Sequence, residues 1–541
     1  MAWRSLALLV IALTAVSACG DDATVDATTD EGTGADAQDS SPRDEGPLDG
    51  STDSTEDIPT DSVDDTSAEG SVETDAGALE PPPRLTVPLT APLASGNAGN
   101  PWSVEASRRY ATQSARPWMN GGFGVEEARC GLQGSIVRVT NLEDSGPGSF
   151  REAVEETEGP RIVVFEVSGV IRLRGNVDVE DPFITIAGQT APPPGISLYH
   201  AGLIVRTHDV CIQHLRIRVG DQQWDGTPYP PGSGDQIDAL GIRNNRGLPA
   251  LNNVVLDNLS LSWSSDEVFA FSRENIFDVT LRDLLIAEPL NDNLHDRGTH
   301  AYCTLLASAP GLDRISFIAN VMAHCIRRAP RVDDGRIAVV NNLIYNPGVY
   351  AIQLFGNDPA DDLNTTIVGN AMAYPDDESL RWAGEVSGNR GTVKALVQNY
   401  YEGAPRTVRA FVQGNMPALG LPVHIDESAF QTSETPSMLL ADAEVWHASI
   451  YALEAEVVER ELLANAGAFP RFRDDVDARV VDDIRRRRGT FIDSQDDVGG
   501  YPSVTENRRA LTPPSDPTGD DDDDGVPNIA EWLQGFTDAI E

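Results

Sequence analysis

Basic residues are scarce in this chain, with 40 Lys and Arg against 85 Asp and Glu in 541 residues and a formal net charge of −45. That balance excludes nucleic acid as a partner, because phosphates need a basic footprint. It also means that a polyanionic ligand would need local cations, either bound metal or clustered arginines. Long apolar runs are missing too. Residues 6–16 form one apolar stretch, too short to span a bilayer, and no later segment is longer. Only five cysteines occur, with no CxxC and no Cys/His metal spacing, which argues against a zinc site. Large apolar side chains are nearly absent from residues 20–85. This segment is rich in Asp, Thr, Ser, Gly and Ala, and between residues 20 and 80 about twenty acids face one base, Arg43. Such a stretch cannot bury enough surface to offset its ordering entropy. It reads as a disordered tether, held extended by its own charge.

What is present begins with an export signal. Arg4 precedes the apolar run, which ends Val16-Ser17-Ala18-Cys19. This resembles a bacterial lipobox, in which the cysteine is lipid-modified and becomes the new N-terminus. The expectation is a lipoprotein signal over residues 1–19, an acidic linker over 20–85, and an exported chain. Cys19 would anchor it to a bacterial outer membrane or cell surface; the alternative is a secreted protein cut nearby. Export permits disulfides among Cys130, Cys211, Cys303 and Cys325, with the pairing left open.

From about residue 116 short β-branched runs recur, each with two alternating apolar side chains, the period of a strand. Aligned on the second apolar residue they give Val164, Ile186, Ile212, Leu256, Leu281, Phe317, Val339 and Ile367. The steps range from roughly 22 to about 44 residues, the repeat scale of a solenoid with constant rungs and variable loops. Asn258, Asn320, Asn342, Asn370 and Asn399 follow several of these strands. Stacked asparagines can hydrogen-bond along a coil, and Asn tolerates the left-handed turn conformation. A β-sandwich would repeat at about 8–12 residues, so the reading is an all-β, right-handed parallel β-helix. Its open ends need caps. Residues 148–154 supply one candidate, a helical segment with Ser149 at the N-cap and Glu152 three residues on. Residues 441–466 look helical and would pack outside or over the far end.

Several stretches resemble one family in order and spacing. They are Val139-Thr-Asn-Leu-Glu-Asp-Ser-Gly-Pro-Gly-Ser-Phe-Arg-Glu-Ala153, Thr185-Ile-Ala-Gly-Gln-Thr-Ala-Pro192 and Val254-Val-Leu-Asp-Asn-Leu-Ser-Leu-Ser-Trp-Ser-Ser-Asp-Glu267. Arg328-Ala-Pro-Arg331, Val340-Asn-Asn-Leu-Ile-Tyr345 and Phe491-Ile-Asp-Ser-Gln-Asp-Asp-Val-Gly-Gly500 follow. Over residues 116–502 the chain resembles the pectate lyases of polysaccharide lyase family 1, a pectin lyase-like solenoid. The resemblance implies calcium-dependent β-elimination on pectate or a related acidic polysaccharide. It implies calcium ligands at Asp238 and Asp266, with Glu267 beside them, and a catalytic base at Arg328, the first arginine of Arg-Ala-Pro-Arg. Arg297, His300 and Arg331 become substrate contacts. Two positions depart from the pattern. Ala270 stands four residues after Asp266, where another acid is common, leaving Asp235 or Glu267 to compensate, or substrate to complete the site. Asp333 stands where a further arginine is usual, with Arg336 nearby.

An arginine base is physically awkward, because guanidinium ordinarily stays protonated. Neighbouring positive charge from Arg327, Arg331 and bound calcium, with desolvation, would favour its neutral form. A second calcium motif lies at residues 520–531, Asp520-Asp-Asp-Asp-Asp-Gly-Val-Pro-Asn-Ile-Ala-Glu531. It matches an EF-hand loop, with Asp520, Asp522, Asp524 and Glu531 as ligands and a helix leaving from Ile529. No amphipathic helix precedes it, so residues 516–541 resemble the single loops of thrombospondin type 3 or dockerin proteins. The expectation is a monomer acting on a uronate polymer. The alternatives are a glycoside hydrolase using Asp238, Asp266 and Glu267 on the same solenoid, or a non-catalytic surface glycan-binding protein.

Overall fold

The computed structural model describes residues 121–541, apart from 126–127, 231–232, 235–236, 245–249, 273–274, 296–297, 308–310, 357–361, 387–388, 391–392, 402–406, 424–430, 433–434, 448–449, 451 and 524. The expected signal, Cys19 and the acidic linker all lie outside the described residues.

Eight turns of the chain each contribute one strand to each of three sheets, and sheet I extends beyond them at both ends. Sheet I, with 12 strands, includes Val210–Gln213 and Leu251–Asp257. Sheet II, with 8 strands, includes Leu215–Arg218 and Ser260–Ser262, and sheet III, also with 8, includes Leu240–Arg243 and Glu267–Ser272. Strands of successive coils pair in parallel throughout the three sheets, so this is a parallel β-helix. A short antiparallel pair, Gln431–Thr432 with Thr435–Leu439, lies at one edge of sheet I.

The interior column of sheet I follows the expected alignment. Ile186, Ile212, Leu256, Leu281, Phe317, Val339 and Ile367 pair in that order, and all are buried in one core. Val164 is off by one. Its neighbour Val163 pairs with Ile186, while Val164 pairs with Ala187 and packs on the outer face. The cause is that Arg161–Phe165 is buried on both faces, so its sequence carries no alternation to mark the interior.

Between sheets I and II the chain turns through one left-handed residue: His214, Asn258, Asp283, Ala319, Asn341 or Gly369. In the later coils, after Ala319, Asn341 and Gly369, the next residue is an asparagine and builds a ladder. Asn320 donates its backbone N–H and its side-chain Nδ2 to Asn342 Oδ1 at 2.9 and 3.1 Å. Asn342 treats Asn370 likewise, at 2.8 and 2.9 Å, and Asn370 treats Asn415 at 2.8 and 2.9 Å. Asn258 and Asn399 are not in this ladder. Asn258 occupies the left-handed position itself and donates to Asn465 and Gly467 carbonyls, and Asn399 lies within the strand Val397–Tyr401.

The N-terminal end is closed as expected, but by a shorter element. A single wide helical turn covers Glu152–Glu156, with Phe150, Ala153 and Val154 buried in the core. Ser149 Oγ accepts from the Glu152 N–H at 3.1 Å, and the Glu152 carboxylate accepts from the Gly148 N–H at 2.5 Å. The C-terminal helix is also shorter than read. Helix α1 spans Ala455–Asn465, and the residues before it place Val445, Trp446, Ile450 and Ala452 over the outward apolar side chains of sheet I, Ala338, Val340 and Val368. Those side chains need covering, so the apolar residues of this segment serve an extended strap rather than a helix face. Helix α2, Asp475–Arg485, covers sheet II together with α1. Helix α3, Asn528–Ile540, seats Ile529, Ala530 and Leu533 against Ile162, Val164, Ala187 and Val255 on the outside of sheet I. Cys130–Cys211 and Cys303–Cys325 are disulfides.

Candidate active site on sheet III

Sheet III gathers the site because its strands begin at nearly one level. The register pairing Leu240 with Phe269 sets Asp238 beside Glu267, and the Glu267 N–H donates to Asp238 Oδ1 at 3.2 Å. Glu267 pairs with Tyr302, and Tyr302 bridges to Arg327. Further along, Leu305 pairs with Arg331. The segment from Arg327 to Arg331 therefore holds one residue more than the segment from Tyr302 to Leu305, which is a bulge. Bulges re-aim side chains. Arg328 lies in it at φ +63°, a left-handed conformation rare for a residue with a Cβ, and its guanidinium meets the Glu267 carboxylate.

Asp238, Asp266 and Glu267 are buried, and one carboxylate oxygen from each lies within 4.8 Å of the others. Three carboxylates this close are tolerable only with cationic or hydrogen-bonding partners. Arg243 Nη2 reaches Asp238 at 2.6 Å, Arg328 faces Glu267, and His300 and His295 place Nε2 at 3.1 and 3.7 Å from Asp266 Oδ1. Burial and the adjacent Asp266 push Asp238 above the usual carboxylate range. Burial pushes Asp266 the same way, but hydrogen bonds from His295 and His300 outweigh it and hold that group low.

Of the residues expected from sequence, Asp238, Asp266, Glu267, His300 and Arg328 come together here. Arg331 lies three residues beyond Arg328 on the same rung, where both carboxylate oxygens of Asp333 accept from its guanidinium at 2.8 and 2.7 Å and the ring of Phe355 lies 3.5 Å away. His300 is buried between the rings of His295 and Tyr302, at 3.6 and 3.7 Å, and acts on Asp266. Arg297, Asp235 and Asp524 lie outside the described residues. Asp520 and Asp522 lie in the loop before α3 and Glu531 in its first turn, far along the sequence from this cluster. Within that loop Asp520 Oδ2 accepts from the Gly525 N–H at 2.8 Å.

Three participants were given no role from sequence. Arg243 was legible in principle: Leu240 and Ile242 point inward, so the alternation turns Gly241 and Arg243 outward on the strand that Asp238 precedes. His295 stands five residues before His300 in the same loop. Tyr302, one rung on from Glu267, places its ring 4.6 Å from the Arg328 guanidinium. Ala270 faces outward between Gly241 and Leu305, so no fourth carboxylate joins from that position.

The chain aligns with fungal proteins described as probable pectate lyase C. The Aspergillus flavus protein is 28% identical over 421 residues, spanning 76% of this chain and 85% of its own. The Emericella nidulans protein is 29% identical over 423 residues, with the same coverage of 76% and 85%. This chain is similar to these probable pectate lyases over 76% of its length. No protein-family profile matches it. Among solved structures, the major allergen of cedar pollen aligns at 16% identity and TM-score 0.44 over 64% of this chain and 92% of its own. A pectate lyase bound to a hexasaccharide aligns at 12% identity and TM-score 0.44, over 66% and 98%.

Proposed function

We propose that this protein is a calcium-dependent polysaccharide lyase that cleaves pectate or a related uronate polymer by β-elimination. The observation that carries the reading is the placement of Arg328 against a buried trio of carboxylates on adjacent rungs of one sheet. Removal of the C5 proton leaves an electron pair that forms the C4–C5 double bond as the C4–O bond breaks. The departing oxygen then takes up a proton. A hard cation suits the donor set of Asp238, Asp266 and Glu267, which offers only oxygens. Calcium held there would draw charge from the uronate carboxylate and stabilise the developing enolate.

The protein's own groups set the conditions for the base. Glu267 keeps Arg328 cationic while its carboxylate faces the guanidinium, so Arg328 can accept a proton only when Glu267 is engaged elsewhere. Arg327, adjacent in sequence and within 5.9 Å of the Tyr302 ring, adds positive charge that favours a neutral neighbour. Arg331 and Arg297 are the proposed substrate cations, and Arg can bind a carboxylate with two parallel hydrogen bonds.

The bidentate hold of Asp333 on Arg331 favours a second reading, a surface glycan-binding protein without turnover. Incubation with polygalacturonate at alkaline pH, with calcium or with EDTA, separates the two. Calcium-dependent ultraviolet absorbance of an unsaturated product supports the lyase. New reducing ends without absorbance indicate a hydrolase, and polymer binding with neither signal indicates the binding protein.

The proposal extends to export and anchoring through Cys19, and two disulfides suit an oxidising compartment. It also extends to a structural calcium at Asp520, Asp522, Asp524 and Glu531, where the exiting helix begins at Asn528.

A further inference from the structure

His295, His300 and Asp266 form a second donor set whose chemistry differs from that of the carboxylate trio. One ligand atom from each lies within 4.8 Å of the others, and all three residues are buried. The imidazoles stack face to face, with centroids 3.6 Å apart and planes 7° apart, and both present Nε2 to the same Asp266 oxygen. The Nε2–Oδ1 separations are 3.7 Å for His295 and 3.1 Å for His300. Ligands about 2.1 Å from a tetrahedral ion stand about 3.4 Å apart, and the two separations suit such an ion once one imidazole turns about its Cβ–Cγ bond, because ring lone pairs lie in the ring planes and the stacked planes do not converge.

The backbone fixes this arrangement. The His300 N–H donates to the Asn291 carbonyl at 2.8 Å, and the Gly298 N–H to the His295 carbonyl at 3.1 Å. Gly234 lets another loop press on His295, since a Cβ there would lie 2.5 Å from the His295 Cα. Tyr302 closes the far side of His300.

We infer that His295, His300 and Asp266 bind one divalent transition-metal ion, and that this ion contends with calcium for Asp266. Two imidazoles and one carboxylate suit zinc, cobalt or nickel, whereas calcium prefers oxygen donors throughout. Three protein ligands leave a coordination position for water or another small ligand. Asp266 belongs to both sets, so occupation of one weakens the other. The inference does not depend on the chain being a lyase, because it concerns binding alone.

Cobalt is the probe, because nitrogen ligation in a low-coordinate site gives it strong visible absorption. The full-length chain, purified without a histidine tag, is titrated with Co2+ in the absence of calcium. The expected result is a visible band that saturates at one equivalent. His295→Gln and His300→Gln each abolish it. Asp238→Asn retains it while losing the part of the calcium-induced thermal stabilisation that persists in Asp520→Asn. Excess calcium raises the cobalt concentration needed for half-saturation by several-fold. His295 lies in a loop outside the strands, and circular dichroism in EDTA verifies that His295→Gln keeps its fold, which makes it the decisive variant. Absence of the band, or a band that survives in both histidine variants, would overturn the inference. A cobalt titration indifferent to calcium would overturn the sharing of Asp266.

Discussion

Asn342 lies in the middle of the turn ladder and has a calculable worth. Its Oδ1 accepts from the backbone N–H and the Nδ2 of Asn320, and its own Nδ2 donates to the Phe317 carbonyl at 3.0 Å and to Asn370 Oδ1. Asn342→Ala removes all four bonds. It leaves two Asn320 donors and the Phe317 carbonyl without these partners, in a part of the fold where Asn320 and Phe317 are fully buried. A net value of about 1 kcal/mol per bond, with a larger cost for each buried group left unsatisfied, gives a loss of about 3–5 kcal/mol. Unfolding entropy near 2.1 cal/mol/K per residue over roughly 400 residues converts this to a fall in Tm of about 4–6 °C. The comparison is Asn507→Ala, whose exposed side chain makes one bond, to the Pro193 carbonyl at 2.8 Å. It should lower Tm by less than about 1 °C. Thermal melts followed by circular dichroism measure both. Equal shifts for the two variants would refute the view that the ladder, rather than the apolar column alone, holds this edge of the coil.

Other outcomes follow from the same reasoning. Arg218 is buried and bonds Asp474 and Asp477 at 2.8 Å each, so Arg218→Ala should cost about 3–5 kcal/mol in urea unfolding, because two buried carboxylates lose their main counter-charge. Burial depresses His214 and His324 to about 4, below an unfolded value near 6.5. The unfolded chain then binds more protons between those values, so the urea midpoint should fall as pH drops from about 6.5 to about 4, and His324→Asn should flatten that slope. Asp333→Asn frees Arg331 from its internal carboxylate and should tighten binding of a polyuronate by about threefold to tenfold in a titration; unchanged affinity would remove Arg331 from the binding surface.

The coil was legible because its rungs are written in period-two apolar pairs, and their register in the structure follows the sequence alignment from Ile186 to Ile367. Legibility failed where both faces of a strand are buried. The outward side of Arg161–Phe165 is covered by α3, so Val163 and Val164 look equivalent in sequence. Asn415 was missed because a long excursion separates it from Asn370, its ladder partner. The apolar residues between 441 and 454 suggested a helix, because nothing local reveals that they cover the outside of sheet I. At the site, Asp238, Asp266, Glu267 and Arg328 were found through motif resemblance. Of their partners, His300 was named as a substrate contact rather than as a support of Asp266, while Arg243 acts through the register that stacks one coil on the next and His295 through the fold of its loop over Asp266. The same limit applies to Asp333. Sequence marked it as a departure, and only the fold shows that it grips Arg331.

Arg328→Ala and Arg328→Lys test the proposal that Arg328 removes a proton beside a carboxylate-bound cation. Ultraviolet product absorbance on polygalacturonate would be followed at alkaline pH in calcium, with polymer affinity measured separately. The expected result is calcium-dependent turnover in the native chain, turnover reduced at least about a thousandfold in Arg328→Ala, and polymer affinity changed far less, since a base acts in the transition state. Arg328→Ala that keeps full turnover would contradict it.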